Sequence, residues 1–374
     1  MMNKLKDLFK YSAKALYIHI PFCDHICSYC DFNKFKADTS KKDVYLKTLI
    51  KDLDLIKKNN LDTIFIGGGT PSSLNNSELI YLLSYLKRFK NVKEFTLEAN
   101  PENLDLEKIN ILKKYGVNRI SLGVQSLNNQ SLEILNRKHN EGKVAEVVFN
   151  LHKIGINNIN LDFIYGLKNE NQNDYLKHIK FAFDNKVTHI SYYSLQLEKG
   201  TKLYLRNDLV KSDDDIANDY FYIVNKLKEF GFIQYEVSNF AKKGYESLHN
   251  LTYWLNKPYY GVGISSTGYL NHIRYKNTSR FLQYINNKNL FSELHKENKK
   301  EQEFDYLMLH LRLIKGFKIS EFNRLFKKDF LKDYKNEIAN VKDFIFIKHG
   351  RFAVKPKNIY ILDTILVGLL KDFE

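Results

Sequence analysis

Six short β-rich runs, at 15–22, 63–66, 94–98, 119–124, 158–164 and 189–195, alternate with helical patterns at 44–58, 77–89, 105–115, 142–154, 173–184 and 213–230. The short runs crowd β-branched and apolar residues, whereas the longer ones repeat them every three to four positions, the two periods that separate strand from helix. Strands joined by crossovers of this length run parallel, and the fixed hand of the crossover brings equivalent strand ends to one edge. The sequence therefore predicts an α/β fold, a partial (β/α)6 barrel, nearly closed or left open on one side. The less regular segment 197–290, with Gly, Tyr and Trp concentrated near 245–260, is expected to close or line the open side, so that 1–290 forms one unit. Beyond it, 291–374 turns helical and carries a hairpin signal at 343–347 and 351–354 around His349-Gly350, which suggests a small C-terminal helical, winged-helix-like domain.

In such barrels the chemistry sits where strands end and loops begin. Cys23 follows the first predicted strand, Gly67-Gly68-Gly69-Thr70-Pro71 the second, Glu98-Ala99-Asn100-Pro101 the third and Gln125-Ser126 the fourth, and Asp162 closes the fifth. Five successive strand ends carrying unusual polar residues point to a single mouth. Glu98, Gln125, Arg137 and Asp162 form a polar set beside apolar strands. Such groups are costly to bury unless they meet a ligand or each other, so they either ring one cavity or form a salt-bridge network. The triple glycine is not a phosphate loop, because no Lys-Ser or Lys-Thr pair follows it. It permits close approach of backbone to a ligand, or simply makes a tight turn.

All three cysteines of the chain, Cys23, Cys27 and Cys30, lie within eight residues. Disulfides span such short loops poorly, whereas an iron-sulfur cluster takes thiolates from one loop readily. Three thiolates for four irons leave one iron open. Structural zinc is the competing reading; it needs four protein ligands, and His25 or His19 could complete the set. His19, on the first strand, is expected to have a local partner instead of a metal.

The three-then-two spacing of the cysteines resembles the signature of the radical S-adenosylmethionine (SAM) enzymes. Tyr17-Ile18-His19-Ile20-Pro21-Phe22-Cys23, Tyr29-Cys30-Asp31-Phe32, Gly67 to Pro71, Glu98-Ala99-Asn100-Pro101, Ser121-Leu122-Gly123-Val124-Gln125-Ser126 with Arg137 behind it, and Asn160-Leu161-Asp162 are together similar to the oxygen-independent coproporphyrinogen III oxidase family within that superfamily. The resemblance implies a 4Fe-4S cluster on Cys23, Cys27 and Cys30 with SAM on its open iron. It implies SAM contacts from Tyr17, Tyr29, Gly68, Glu98, Gln125, Arg137 and Asp162, with Gly69 and Thr70 approaching the substrate or a second SAM.

Two branches of that family differ at two places. Decarboxylating oxidases have a fourth cysteine two residues after the third, where this chain has Phe32, which argues against coproporphyrinogen III dehydrogenase activity. The heme-chaperone branch, HemW, shows His-Asn, two residues, then Tyr-Trp, and this chain reads His249-Asn250-Leu251-Thr252-Tyr253-Trp254 around its single tryptophan. An imidazole can ligate heme iron and flat rings pack on porphyrin, so His249, Tyr253 and Trp254 are the expected heme contacts; His249 could equally serve only as a hydrogen-bonding group within the barrel closure. One departure is Thr267, which stands where the family usually has histidine. The expectation is a heme-binding chaperone that delivers heme to acceptor proteins. The rivals are a coproporphyrinogen oxidase-type radical enzyme and a radical SAM enzyme acting on a non-porphyrin substrate.

Composition narrows the setting. No run approaches the roughly 20 apolar residues of a membrane span, and the opening residues lack the apolar core of a signal peptide, so a cytoplasmic protein is expected, where thiols and an oxygen-sensitive cluster survive. The formal charge of +15 is spread over lysines along the whole chain and forms no focused stripe, which argues against nucleic acid. Its field would still attract porphyrin propionates, an acidic flavodoxin-like electron donor, or an anionic membrane surface.

Overall fold

The computed structural model describes residues 2–36, 38–57, 60–286 and 290–370. Six parallel strands appear where the sequence places them: β1 (Ala15–Ile20), β2 (Thr63–Gly68), β3 (Glu94–Ala99), β4 (Arg119–Gln125), β5 (Asn158–Tyr165) and β6 (His189–Ser194). The connecting helices, Thr39–Leu53, Asn76–Leu86, Leu106–Lys114, Glu141–Lys153 and Gln172–Asp184, fall within a few residues of expectation. Lys58, the predicted end of the first of them, lies outside the described residues.

Many of the chain's asparagines have a structural use. Asn75, Asn128, Asn140, Asn171 and Asn298 each cap a helix N-terminus, with the side-chain oxygen accepting a backbone N–H of the first turn. A cap of this kind is worth about 1 kcal/mol.

The sheet extends further than six strands. Antiparallel β7 (Ile233–Gln234) and β8 (Asn239–Ala241) follow β6 at one edge, and β9 (Tyr259–Val262) adds a seventh parallel strand against β1. Antiparallel β10 (Thr267–Leu270), β11 (Ile273–Asn277) and β12 (Phe291–Lys296) complete the other edge, in the order β12-β11-β10-β9-β1-β2-β3-β4-β5-β6-β8-β7. The segment expected to close the open side thus widens the sheet at both edges. β12 carries that sheet past the expected boundary at 290.

The strands alternate strictly. Leu16, Ile18, Ile20, Ile64, Ile66, Leu97, Ile120, Leu122, Ile159 and Leu161 belong to the main apolar core that packs the sheet against its helices. The intervening residues, including Tyr17, His19, Thr96, Glu98, Arg119, Ser121, Asn160, Asp162 and His189, stand on the other face and form a polar lumen. Hydrogen bonds knit that lumen: Ser121 Oγ donates to Asp162 at 3.0 Å, and Asn160 Nδ2 to Ser121 at 2.7 Å and Ser191 at 3.0 Å.

After helix Lys299–His310, a three-stranded antiparallel sheet forms from β13 (Phe317–Lys318), β14 (Ile345–Lys348) and β15 (Arg351–Val354), in the order β13-β15-β14. Short helices at Ile319–Phe326, Phe330–Asp333 and Lys335–Val341 pack Phe322 and Phe330 against Phe317 and Phe352. Among the described residues no helix is long and apolar enough to cross a membrane.

Candidate functional site

The loop after β1 enters the mouth of the lumen through a two-residue parallel ladder, Phe22–Cys23 against Phe35–Lys36. It lines a cavity of about 450 Å3 with Cys23, Cys27, Tyr29, Cys30, Gly68, Gly69, Thr70, Glu98, Gln125, Arg137 and Asp162, all residues singled out from sequence. That volume suits a nucleoside-sized ligand.

The three thiols sit in different fields. Burial pushes the Cys23 thiol up to about 11, against a hydrogen bond from Thr70 Oγ1 at 3.4 Å; burial also raises Cys30. At Cys27 burial acts in the same sense but is outweighed by His25 and by the Arg137 guanidinium, whose Nη1 donates to the sulfur at 3.3 Å, leaving the thiol at about 7. Arg137 is itself fixed by Asn100 Oδ1 at 2.8 Å and by the Gly123 carbonyl. Donors aimed at sulfur are what a thiolate-held cluster uses to tune its charge. Among the described residues no three His, Cys, Asp or Glu side chains converge as a single metal ion requires. The three free thiols around one cavity fit a cluster held by thiolates from one loop.

Backbone geometry explains the glycines. Gly68 has φ +119°, and a Cβ there would stand 2.6 Å from the His19 ring; a Cβ on Gly69 would stand 2.9 Å from the Cys23 sulfur. The loop therefore lies against the cysteine loop as only glycine allows. Gln125 has φ +67° at a register shift between β4 and β5, a left-handed conformation rare outside glycine. It ends the strand, and Gln125 lines the cavity mouth.

Glu98 and Asp162 form an acidic wall. Glu98 accepts the Gly68 N–H at 3.0 Å, and Asp162 accepts from Ser121 and Asn160. Burial, with the neighbouring Asp162 charge, pushes the Glu98 carboxyl up to about 8, and burial likewise raises Asp162. Two desolvated carboxylates side by side suit a cationic ligand.

Tyr17 does not line this cavity. Its hydroxyl pairs with His19 Nδ1 at 3.0 Å, so His19 has the local partner expected of it. Both face a second cavity of about 460 Å3, lined also by Phe32, Tyr253, Trp254, Tyr259, Thr267 and Arg274. Phe32 is 65% exposed and borders both cavities. Tyr253 and Trp254 are thus brought together with Thr267, the position that departs from the family pattern.

His249 is a correction to the expected heme contacts. It is completely buried, with Nδ1 bonded to Thr63 Oγ1 and Nε2 to Tyr253 Oη, each at 2.8 Å, and its ring stacks on Phe65. Neither nitrogen is free to ligate iron. Its helix, Leu248–Trp254, reaches the beginnings of β2 and β3, where Glu94 accepts the backbone N–H groups of Leu248 and His249. This is the alternative the motif always allowed, a hydrogen-bonding role in the barrel closure.

Sequence reasoning missed Asn100, which positions Arg137, and the half-buried Glu102, whose oxygens lie 3.5 Å from both His25 and His139. The signal was available in Asn100-Pro101-Glu102 after the third strand and in His139 two residues beyond Arg137.

Residues 17–182 match the family model described as the radical SAM superfamily, and membership implies a 4Fe-4S cluster and SAM. The heme chaperone HemW of Lactococcus lactis is 39% identical over 369 residues, covering 96% of this chain and 97% of the relative. HemW of Bacillus subtilis is 36% identical, covering 90% and 95%. Coproporphyrinogen III oxidase (HemN) from Escherichia coli superposes with a TM-score of 0.86 over 99% of this chain and 93% of its own, at 18% identity, which establishes the shared fold. With near-full-length identity to two HemW proteins, the chain belongs to the HemW family of the radical SAM superfamily.

Proposed function

We propose that this protein holds a 4Fe-4S cluster on Cys23, Cys27 and Cys30, binds SAM at the same mouth, and carries heme for delivery to acceptor proteins. The carrying observation is the pair of adjoining cavities: one lined by the thiols and the acidic wall, the other by Tyr253 and Trp254, with Phe32 common to both. When bound, the cluster would supply one electron at a time and an open coordination position for the amino and carboxylate groups of SAM.

The protein's own groups then have defined tasks. Arg137 and Thr70 donate to ligand sulfurs and oppose their charge. The Gly68-Gly69 backbone lets a methionyl group come close. Glu98 and Asp162 face the positive charges of SAM, and Gln125 at the end of β4 lines the same cavity. Flat apolar rings of Tyr253, Trp254 and Tyr259 offer a porphyrin its packing surface in the second cavity. An axial ligand from His249 is not part of this proposal. The +15 charge favours an acidic one-electron donor. We further propose that the chain divides just after β12, a few residues beyond the expected 290, into the barrel unit and the C-terminal winged unit.

The test is anaerobic titration of the cluster-reconstituted protein with heme, followed by absorbance. Saturable binding in simple stoichiometry, weakened by Trp254→Ala, is expected; no saturable binding overturns the chaperone role. Formation of protoporphyrinogen with 5′-deoxyadenosine from coproporphyrinogen III would favour the oxidase reading instead.

A further inference from the structure

Arg119 opens β4 at the floor of the lumen. It is 1% exposed, the largest fully buried side chain among the described residues, and its Nε–H has no hydrogen-bond partner. No carboxylate stands within ion-pair distance of it among those residues. A fully buried, unpaired guanidinium is among the most expensive arrangements a protein interior can hold, so its retention needs a reason.

Register supplies one. Arg119 pairs with Thr96 and Asn158, and one step up the same face of the sheet come Glu98, Ser121 and Asn160, followed by Asp162 beside Gly123. Arg119 thus stands one register step below Glu98 and two below Asp162, too far to pair with either and near enough for its field to reach both. Glu94, one step below Thr96 on the same face of β3, is taken up by Ser247 Oγ and by the Leu248 and His249 N–H groups. His189 and His249 are held neutral by burial, His189 bonded to Asn160 and Tyr235, and His249 to Thr63 and Tyr253. Around the carboxylates Tyr17, Tyr193 and Tyr253 are kept protonated by the same burial.

We propose that Arg119 is a positioning residue for SAM: a fixed positive charge at the floor of the lumen that makes it easier for Glu98 and Asp162 to reach together the ionised form in which they accept a cationic ligand. A direct ion pair would engage one carboxylate and draw it down, away from the mouth. A distant cation supports both and leaves their oxygens pointing at the ligand. This assignment rests on reading the first cavity as the SAM site.

The experiment is equilibrium dialysis of SAM against the anaerobically reconstituted full chain between pH 6 and 9, for the parent, Arg119→Met, Arg119→Lys, and Arg119→Met in a Glu98→Gln background. Removing the charge is expected to move the rise of affinity toward higher pH by about one unit, which is a roughly tenfold loss near neutrality. Arg119→Lys restores the parent profile, and the Glu98→Gln background removes most of the shift. A parent that binds SAM with the same profile as Arg119→Met overturns the assignment of Arg119 alone; a parent that binds no SAM at any pH overturns the reading of the cavity. Should Arg119→Met lose its cluster, Arg119→Lys carries the test, and a displaced profile in that cationic variant overturns the proposal.

Discussion

The two ends of the lumen use similar residues in opposite ways. At the mouth, Cys23, Cys27, Cys30, Glu98 and Asp162 line open space with donors and charges that their neighbours do not fully satisfy. At the floor, His249, Thr63, Tyr253 and Glu94 satisfy one another, and the helix Leu248–Trp254 closes the barrel as a stopper. The same motif helix then turns Tyr253 and Trp254 sideways into the second cavity. A motif can therefore be diagnostic of a family while its most chemically suggestive member serves the architecture.

The largest effect that would break this contrast belongs to the mouth. Cys27→Ser is expected to abolish the iron-sulfur absorbance after reconstitution and leave far-UV circular dichroism unchanged. Retention of iron would show that the thiol is not a ligand. At the floor, His249→Ala should cost about 2–4 kcal/mol of stability in urea unfolding, because two buried hydrogen bonds and a stacked ring are lost together. If heme affinity collapsed while stability held, His249 would be a ligand after all and the contrast would fail.

A smaller effect is expected at Gly68→Ala, where a left-handed φ and the His19 ring oppose the new methyl group. Strain of about 1–3 kcal/mol should weaken SAM binding roughly ten- to a hundredfold with the cluster retained, as equilibrium dialysis would measure. A further change concerns pH. The Glu98 carboxyl is raised to about 8 in the SAM-free protein, against an ordinary value near 4.5. The folded state therefore holds a proton that the unfolded chain releases, and stability falls as pH rises from about 4.5 to about 8. Glu98→Gln should flatten that decline in urea midpoints, whereas substitutions within the hydrogen-bonded His249–Thr63–Tyr253 group should displace the curve without changing its slope.

Most of the mouth was readable because its residues stand at strand ends, where five successive β-rich runs break into Gly, Glu, Gln and Cys. The six strands were readable because apolar and polar residues alternate along them with period two. What escaped was long-range. β9 pairs with β1 across more than two hundred residues, and nothing local to Tyr259–Val262 announces a parallel partner. Arg119 looked like an ordinary strand-start charge until the lumen closed around it. His249 stood evenly between two roles for the same reason: its hydrogen-bond partner Thr63 lies 186 residues away, and nothing local weighs a threonine against iron. Thr267 was noticed as a departure, yet only the folded chain puts it beside Trp254.

The position of Trp254 has a practical consequence. It is the sole tryptophan of the chain, it borders the second cavity, and Arg312 lies 4.8 Å above its ring. The protein thus carries its own emission signal at the place where occupancy matters, uncontaminated by any second indole. Loading, release and transfer to a recipient can each be followed in real time on the unlabelled chain.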